Sequence, residues 1–292
     1  MTQSNIHEAT GINPDTIRKL EKGLVIPKYE TLEILGHLYK VDLLNILRKY
    51  SKDQTLSNLY FNIDQSIVSH NIDQLHTLND MLEADAFNNS PLVNPTDLKS
   101  LKTFTKYMHS YYDEHMSEEE MKMSIEALIQ CLKLTVHNFD FENYLTCHYS
   151  PLEIRLLLLI ALYEVRLDEL IHSTEIFKFC LDYLIQDREE TIWHMKLIMK
   201  LFFNLSYNHH RLSDYTESLN VAIEGIKYAK SKHIFYNLAN LMTRKGIAEY
   251  HLGMAHYLKT LEHAMVLLEV FDDSKTAELY KKILNDKYKL SL

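Results

Sequence analysis

A short segment near the start of the chain carries side chains that could contact nucleic acid. Thr16, Arg18 and Lys19 lie close together, directly after Asp15. An arginine can donate two hydrogen bonds to one guanine, a lysine can neutralise a phosphate, and a threonine can contact a phosphate or a thymine methyl group. A carboxylate such as that of Asp15 is repelled by phosphates unless it accepts a hydrogen bond from a cytosine amino group. A solvated helix face has the same composition, so the pattern alone leaves both interpretations open.

The residues around this segment predict the two helices that would position it. We expect a first helix over residues 2–10, a tight turn at Gly11 and a second helix that begins at Pro14. Asn13 can cap the second helix, and proline is well tolerated at the first position because no amide hydrogen bond is lost there. Gly23 supplies a left-handed stop. This is the layout of a helix-turn-helix, in which the second helix enters the major groove of DNA.

The composition of the 292-residue chain favours long helices throughout. It holds only six glycines and five prolines, too few for the many turns of an all-β protein. The net charge is −9 and uneven, because residues 1–50 carry seven Lys or Arg against six Asp or Glu, and the remainder carries 24 against 34. A near-neutral head on an acidic body favours contact with nucleic acid through the head alone. We therefore predict an all-α protein.

Several classes of protein and site are disfavoured. The three cysteines lack Cys-x-x-Cys spacing, which indicates reduced thiols rather than a zinc site or a disulfide framework. The adjacent His209 and His210 would point about 100° apart on a helix, a poor arrangement for joint metal ligation. The most apolar run, Leu156–Tyr163, is too short to span a bilayer. We therefore expect no membrane contact. Because no glycine-rich phosphate loop or nucleophile elbow occurs, we expect neither an enzyme nor a cofactor.

Beyond the head, apolar residues recur at helical spacing in eleven segments between residues 55 and 288. The polar break at residues 51–54 is the first that is long enough for a domain boundary. Most later breaks are short, which predicts antiparallel helical hairpins. Ser117 and Ser150 are expected to begin helices, the first of them with a capping box. We therefore predict a head domain of residues 1–50 and a helical repeat domain of residues 51–292.

The predicted hairpins have the character of a repeat. Tyr163, Tyr207 and Tyr250 follow one another at intervals of 44 and 43 residues, which predicts a nearly constant period. The segment Tyr215–Ile223 resembles the second helix of a tetratricopeptide repeat, with the small Ala222 where two helices approach closely. The usual repeat has about 34 residues, so these copies would be lengthened and degenerate. We expect a right-handed superhelix of hairpins, whose concave surface usually binds peptides.

The head resembles the helix-turn-helix of the Xre or phage-repressor-like regulators. The resemblance is carried, in this order, by Thr2–Gln3, Ala9–Ile12, Thr16–Gly23, Ile26–Pro27 and Thr31–Leu35. It implies a DNA-binding domain in which Gln3 occupies a position that clamps a phosphate. Members of the family carry a whole helix before this point, and the chain begins at Met1 where that helix would have ended. We therefore expect a domain that lacks its first helix, either because the start lies upstream or because the domain is incomplete.

The loss of that helix has an expected structural consequence. It would normally cover the apolar sides of Ile6, Ile17 and Leu20, together with the helices after residue 29. We expect this face to be exposed or rearranged, and residues 1–27 to be mobile or packed abnormally. At roughly 25 cal/mol per Å² of apolar surface, such a loss would leave a small domain only marginally stable.

A helix-turn-helix followed by degenerate tetratricopeptide repeats resembles the Rgg/PlcR/PrgX-like regulators. The resemblance spans essentially the whole chain and is sharpest at Asn204–Tyr207 and Tyr215–Leu219. It implies a cytoplasmic transcriptional regulator that binds operator DNA and senses a short signalling peptide in quorum sensing. In PlcR-like members, an asparagine at the position of Asn204 lies on the inner face and holds the peptide backbone. An amide suits that role because it offers both a donor and an acceptor.

Four further residues are candidates for the same peptide site. Asn237, Asn240 and Arg244 share one face of a predicted helix, where the amides could bind a peptide backbone and the arginine its terminal carboxylate. Arg155 lies in the corresponding helix one hairpin earlier than Asn204. Polar residues at the edges between helices would have the same pattern, so this interpretation also stays open.

Two hypotheses of function follow from these patterns. The first is a DNA-binding, peptide-responsive regulator, expected to be a homodimer because a two-fold protein matches a palindromic operator. The terminal hairpin is the expected dimer surface. The second hypothesis is a protein- or peptide-interaction scaffold with a truncated, non-functional helix-turn-helix. A segment upstream of Met1 that restored the missing helix would favour the first.

Overall fold

The computed structural model describes residues 2–50, 54–68, 71–84, 94–186, 191–271 and 273–290. These residues form fifteen α-helices and one short 3-10 helix, and no strand occurs among them. The all-α prediction is confirmed. The chain divides into two compact units, Met1–Leu98 and Lys99–Leu292. The functional boundary near residue 50 stays a prediction, since residues 51–53 lie outside the described part.

The first unit begins with the expected helix-turn-helix. Its helices are α1 (Gln3–Thr10), α2 (Pro14–Glu21), α3 (Tyr29–Tyr39), α4 (Leu43–Tyr50), α5 (Gln54–Val68) and α6 (Ile72–Glu83). Gly11 closes α1 with a φ of +72°, and Gly23 follows α2 with a φ of +66°, both in the left-handed region that glycine adopts readily. The Asn13 side chain accepts a hydrogen bond from the Asp15 amide at 2.8 Å. The turn, the cap and the stop predicted around α2 are confirmed.

The apolar faces of α1 and α2 are buried, which differs from the expectation. Ile6 is 2% exposed, Ile17 is 3% exposed, and both belong to one cluster with Leu35 of α3. Leu20 is partly buried against the same cluster. The expectation of an open face at Ile6 and Ile17 is therefore wrong, because α3 and α4 supply their apolar partners. Exposed apolar side chains lie instead in the link after α2, where Leu24–Ile26 are 41% to 91% exposed.

The second unit is a row of helical hairpins, and its first helix begins four residues before Lys99. From residue 95 onward the helices are α7 (Pro95–Tyr111), α8 (Glu118–Thr135), α9 (Pro151–Arg166), α10 (Leu170–Gln186), α11 (Ile192–Arg211), α12 (Tyr215–Lys232), α13 (Leu238–His251), α14 (Tyr257–Val270) and α15 (Ser274–Tyr288), with a 3-10 helix at Tyr144–Thr146. From α8 to α15, each helix packs against the next, and α11 also packs against α13. The stacked antiparallel hairpins predicted from the short breaks are confirmed. Capping boxes begin α8 at Ser117 and α9 at Ser150.

The helix α9 lies in the core of this unit. Every residue from Glu153 to Ala161 is buried, most of them completely. The apolar run that is too short to span a bilayer is therefore an interior helix of a protein core. In the described part of the chain, no helix combines the length and the apolar character that crossing a membrane requires.

The three hairpins from α9 to α14 close with the same turn. In each, a leucine follows the first helix as its C-cap, and the next residue has a left-handed backbone: Asp168, Ser213 and Gly253, with φ of 65°, 61° and 68°. The following residue donates its amide hydrogen to a carbonyl five residues back, at 2.9 Å in all three turns. This is a Schellman motif. The turns lie 45 and 40 residues apart. The nearly constant period predicted from the tyrosines is therefore wrong, because those tyrosines do not occupy equivalent positions in the hairpins.

Two arginines connect successive hairpins at these turns. Arg166 and Arg211 each immediately precede a turn leucine, and each reaches back to the hairpin before its own. The four hydrogen bonds run from Arg166 to the carbonyl oxygens of Tyr111 (2.7 Å) and Asp113 (2.9 Å), and from Arg211 to the carbonyl oxygen of Val165 (2.9 Å) and the carboxylate of Asp168 (2.7 Å). Cations are favourable at helix C-termini, where carbonyl groups lack partners within the helix. Each arginine therefore satisfies the end of an earlier helix.

Small residues allow the helices of the repeat to approach closely. Ala222 of α12 is completely buried, as expected for a close helix contact. At Gly246 of α13, an added Cβ would lie 2.6 Å from Cδ2 of Leu261 in α14. At Gly225 of α12, it would lie 2.9 Å from Cβ of Phe202 in α11. No side chain fits at either glycine without displacing its neighbour.

Candidate functional sites

The helix α2 presents the predicted DNA-contacting residues on its exposed side. Asp15, Thr16, Arg18 and Lys19 are all exposed, while Ile17 between them is buried. The four residues fall within one broad face of a helix of 3.6 residues per turn. The structure therefore places them together, on the side of α2 that points away from the apolar cluster.

The two basic side chains of this face are held by an acidic one. One carboxylate oxygen of Asp15 pairs with Arg18, and the other lies 2.8 Å from Nζ of Lys19. Hydrogen bonds from Lys19 and Arg18 are the main causes that hold the pKa of Asp15 below its usual value. Gln3, predicted to clamp a phosphate, instead donates a hydrogen bond from Nε2 to the Glu21 carboxylate at 2.7 Å. Three of the predicted DNA contacts are thus engaged with acidic residues of α2.

Arg244 is the most distinctive of the predicted peptide-binding residues. Its side chain projects from α13, and the residue is only 9% exposed. The guanidinium lies over two rings of α11, at 4.9 Å from the centroid of Tyr207 and 5.6 Å from that of Phe203. It also lies beside the hydroxyl of Tyr280 in α15. Burial raises the pKa of Tyr280, and the charge of Arg244 opposes that rise. Three helices, α11, α13 and α15, therefore form the surroundings of this cation.

The charge of Arg244 has no anionic partner in the described part of the chain. No carboxylate forms an ion pair with it there, and its Nε has no hydrogen-bond partner. Aromatic rings compensate a buried cation only in part, by about 0.5–2 kcal/mol. A buried charge without a counter-charge is costly, so the site has a capacity for an anionic group.

Of the two amides predicted to share a helix with Arg244, Asn240 lies in α13, whereas Asn237 lies outside the helix. Asn237 adopts a left-handed φ of 60° just before α13, and its Oδ1 accepts a hydrogen bond from Nδ2 of Asn240 at 2.6 Å. The other polar atom of the Asn240 amide, Oδ1, is buried without a partner in the described part of the chain. It can accept a hydrogen bond one helical turn away from Arg244.

The remaining two candidates lie on earlier first helices. Asn204 is half-buried in α11, next to Phe203 and three residues before Tyr207, the two rings that contact Arg244. Arg155 lies in α9 and is 4% exposed. The structure thus brings Asn204 onto the helix that faces Arg244, whereas Arg155 lies one hairpin earlier. The roles of all five residues in peptide binding stay predictions.

A cavity of about 380 Å³ lies elsewhere, in the first unit, between α3 and α4. It is lined by residues from Leu32 to Leu44, none of which is a predicted site residue. Within the described residues, no group of three or more His, Cys, Asp or Glu side chains is arranged to hold a metal ion. The candidate sites are therefore the exposed face of α2 and the buried surroundings of Arg244.

Comparisons with known proteins identify solved structures that share this architecture. No protein-family model matches the sequence, and no curated protein matches it. Among solved structures, Bacillus thuringiensis PlcR in complex with the peptide PapR7 and DNA aligns with a TM-score of 0.73 and 15% identity, over 98% of this chain and 94% of that chain. The chain has the PlcR fold. PlcR in its apo form aligns with a TM-score of 0.57 and 14% identity, over 97% of this chain and 96% of that chain. The apo form of RapI gives 0.54 and 14%, over 78% and 76%.

The PlcR fold confirms, at the level of architecture, the resemblance to the Rgg/PlcR/PrgX-like regulators. The alignment covers nearly the whole of both chains, so it includes the helix-turn-helix as well as the hairpins. At 15% identity it carries the fold alone. What this chain binds has to be argued from its own residues.

The sequence patterns missed the aromatic residues around Arg244. Tyr280 lies 36 positions after Arg244, on a helix that the local pattern could not assign to the same site. His210, which the sequence disfavours as a metal ligand, belongs to a ring cluster with Tyr215, His251 and Tyr288. Within this cluster Tyr215 and His251 stack at 3.9 Å, and the Tyr288 hydroxyl lies 3.3 Å from His210 Nε2. A signal was available in the spacing of Phe203 and Tyr207, which share one face of a helix.

Proposed function

We propose that the chain is a cytoplasmic, DNA-binding transcriptional regulator whose repeat unit senses a short signalling peptide. The PlcR fold supports this proposal, since PlcR has been crystallised with a peptide and DNA. The observation that carries it for this chain is the buried Arg244, which lacks an anionic partner among the described residues.

A short peptide supplies the groups that this site lacks. Its terminal carboxylate can form two parallel hydrogen bonds with a guanidinium. A backbone amide hydrogen can be donated to the free Oδ1 of Asn240 one turn away. The rings of Phe203 and Tyr207 can contact an apolar side chain of the same peptide. The proposed ligand is therefore a peptide with a free C-terminus and an apolar residue near it, bound along α11 and α13.

The DNA-binding part of the proposal rests on α2. Its exposed face carries Thr16, Arg18 and Lys19, which suit contacts with bases and phosphates, and a glycine turn joins it to α1. Such a helix alone buries too little surface for a specific site, so we propose a homodimer on a two-fold operator. Apolar side chains of the terminal hairpin and α15 suit the dimer surface, because Val266, Val270, Phe271 and Leu279 are 48% to 67% exposed.

The peptide part is tested by thermal unfolding of the full chain in the presence of short synthetic peptides. Each peptide is prepared both as a free acid and as a C-terminal amide. We expect some free acids to stabilise the protein, by about 2.7 kcal/mol at a concentration of 100 times Kd, and the matching amides to do so far less. Arg244→Gln should abolish the difference between acid and amide. The control, Lys281→Gln, removes an exposed cation of α15 and should keep it. Equal binding of acids and amides would contradict the proposed role of Arg244.

An interaction scaffold without DNA binding is the second candidate function. It is favoured by the engagement of Arg18 and Lys19 with Asp15, and of Gln3 with Glu21. The two functions separate in a fluorescence anisotropy titration of the full chain with a random-sequence duplex at low salt, where phosphate contacts are strongest. Lack of binding there, combined with peptide binding, would favour the scaffold.

A further inference from the structure

The charges of the helix-turn-helix cancel locally. Residues 2–24 carry three Lys or Arg and three Asp or Glu. Asp15 is three residues before Arg18 and four before Lys19, the two spacings at which side chains meet on a helix. It engages both cations at once, one with each carboxylate oxygen. The face that would meet the phosphates therefore has its two best cations already paired.

A carboxylate and a phosphate compete for the same donors. Both are anions that accept charge-assisted hydrogen bonds from guanidinium and ammonium groups. For Arg18 or Lys19 to reach a phosphate, it must first leave Asp15. Once both have left, the Asp15 carboxylate stays on the DNA-facing side of α2 without a counter-charge, where phosphates repel it. Only a base-edge donor, such as the amino group of cytosine, compensates it there.

We propose that Asp15 acts as an internal competitor of the DNA backbone and thereby sets the DNA selectivity of this protein. This inference rests on the proposed DNA-binding function. Random duplex offers mainly phosphates, and the cost of separating Asp15 from its cations keeps such binding weak. A site that places a cytosine amino group opposite Asp15 satisfies the carboxylate and releases Arg18 and Lys19 to the DNA. Asp15 is therefore a specificity-determining residue, although its own charge opposes binding.

The test is a double-mutant cycle on the affinity of the full chain for a random-sequence duplex. The four proteins are the unchanged chain, Asp15→Asn, Arg18→Ala and the double variant. If Asp15 holds Arg18, then Arg18→Ala should cost less than about twofold in affinity in the unchanged chain, and several-fold more in the Asp15→Asn background. Asp15→Asn alone should raise the affinity. It should also steepen the salt dependence by up to about two, because two more phosphates become neutralised at about 0.9 each.

A matched control separates competition from a mere change of net charge. Glu33→Gln removes one exposed carboxylate of α3, which forms no ion pair within the described part of the chain. It should raise the affinity much less than Asp15→Asn. An equal rise in the two variants, or an Arg18→Ala cost that is the same in both backgrounds, would overturn the inference while leaving DNA binding intact. If no variant binds duplex at low salt, the proposed DNA-binding function fails as well.

A second measurement examines the ion pairs without DNA. The carboxyl carbon of Asp15 is titrated by NMR in the unchanged chain and in Lys19→Ala, and circular dichroism verifies that both are folded. The pKa of Asp15 should lie below its ordinary value in the unchanged chain and move back toward that value in the variant. The same pKa in both proteins would mean that Lys19 is not held in solution, which overturns the inference irrespective of DNA.

Discussion

Lowering the pH from 7.5 to 5.0 is expected to destabilise the second unit through His210. Burial, reinforced by the neighbouring Arg244, His251 and Lys287, lowers the pKa of His210 to about 4. In the unfolded chain a histidine has a pKa near 6.5. The folded state therefore resists a proton that the unfolded state accepts. The contribution of His210 to stability is complete above pH 6.5 and is lost as the pH falls toward 4.

The magnitude follows from these two pKa values. Between pH 7.5 and 5.0, proton linkage gives a loss of about 2 kcal/mol in the free energy of unfolding. His210 is partly exposed, and solvent screening reduces the expected loss to about 1 kcal/mol. Glu164 acts in the opposite direction, because burial raises its pKa to about 7 and acidification below pH 7 therefore favours the folded state. A comparison of two proteins that both retain Glu164 cancels this second contribution.

The matched variant is His210→Gln, which does not titrate and whose amide can still hydrogen-bond the Tyr288 hydroxyl. Urea unfolding is followed by the fluorescence of Trp193, the single tryptophan, which lies in α11 with His210. We expect the loss of unfolding free energy between pH 7.5 and 5.0 to be about 1 kcal/mol smaller in the variant. An equal loss in the two proteins would refute the argument that His210 stays uncharged in the folded state.

Three further substitutions in the second unit can be measured by the same unfolding assay. Gly246→Ala should destabilise the unit by up to about 2 kcal/mol. Crowding of the new methyl group against Leu261 costs about 1–3 kcal/mol, which outweighs a helix-propensity gain of roughly 1 kcal/mol. A stabilised variant would mean that α14 shifts to accommodate the methyl group without cost. Arg211→Gln should cost about 1–3 kcal/mol, since it removes bonds to a helix-end carbonyl and to Asp168; no change would show that water replaces the arginine. Ser150→Ala removes a capping box and should lower the free energy of unfolding by about 1 kcal/mol. An unchanged free energy would mean that this cap contributes little to stability.

The sequence predicted the features that depend on neighbouring residues. Asn13 before Pro14 indicated the start of α2, and Ser117 and Ser150 indicated the starts of α8 and α9, because a cap acts within one helical turn. The pairing of Asp15 with both basic residues of α2 belongs to the same class. Its spacing of three and four residues is visible in the sequence, although the prediction for Asp15 considered only DNA, as repulsion from phosphates unless a cytosine amino group donates a hydrogen bond to the carboxylate.

Features that depend on distant residues were not predicted. Ile6 and Ile17 are covered by Leu35, and an expectation built on a missing helix could not foresee that α3 supplies the cover. The environment of Arg244 joins three helices, and no carboxylate of the described residues forms an ion pair with it, which no local pattern could predict. The repeat spacing failed for a related reason. Tyr163, Tyr207 and Tyr250 occupy different positions relative to the left-handed turn residues, which themselves lie 45 and 40 residues apart.

The arginines that connect the hairpins also determine when helix ends gain hydrogen-bond partners during synthesis at the ribosome. The carbonyl of Val165 is satisfied by Arg211, which lies 46 residues later in the chain. At a synthesis rate of about 5–20 residues per second, the end of α9 stays without this partner for roughly 2–9 s after it is made. A delay of roughly 3–11 s applies to the end of α7, because Arg166 lies 55 residues after Tyr111. The ends of α7 and α9 therefore receive these hydrogen bonds only after an arginine of the following hairpin has been synthesised.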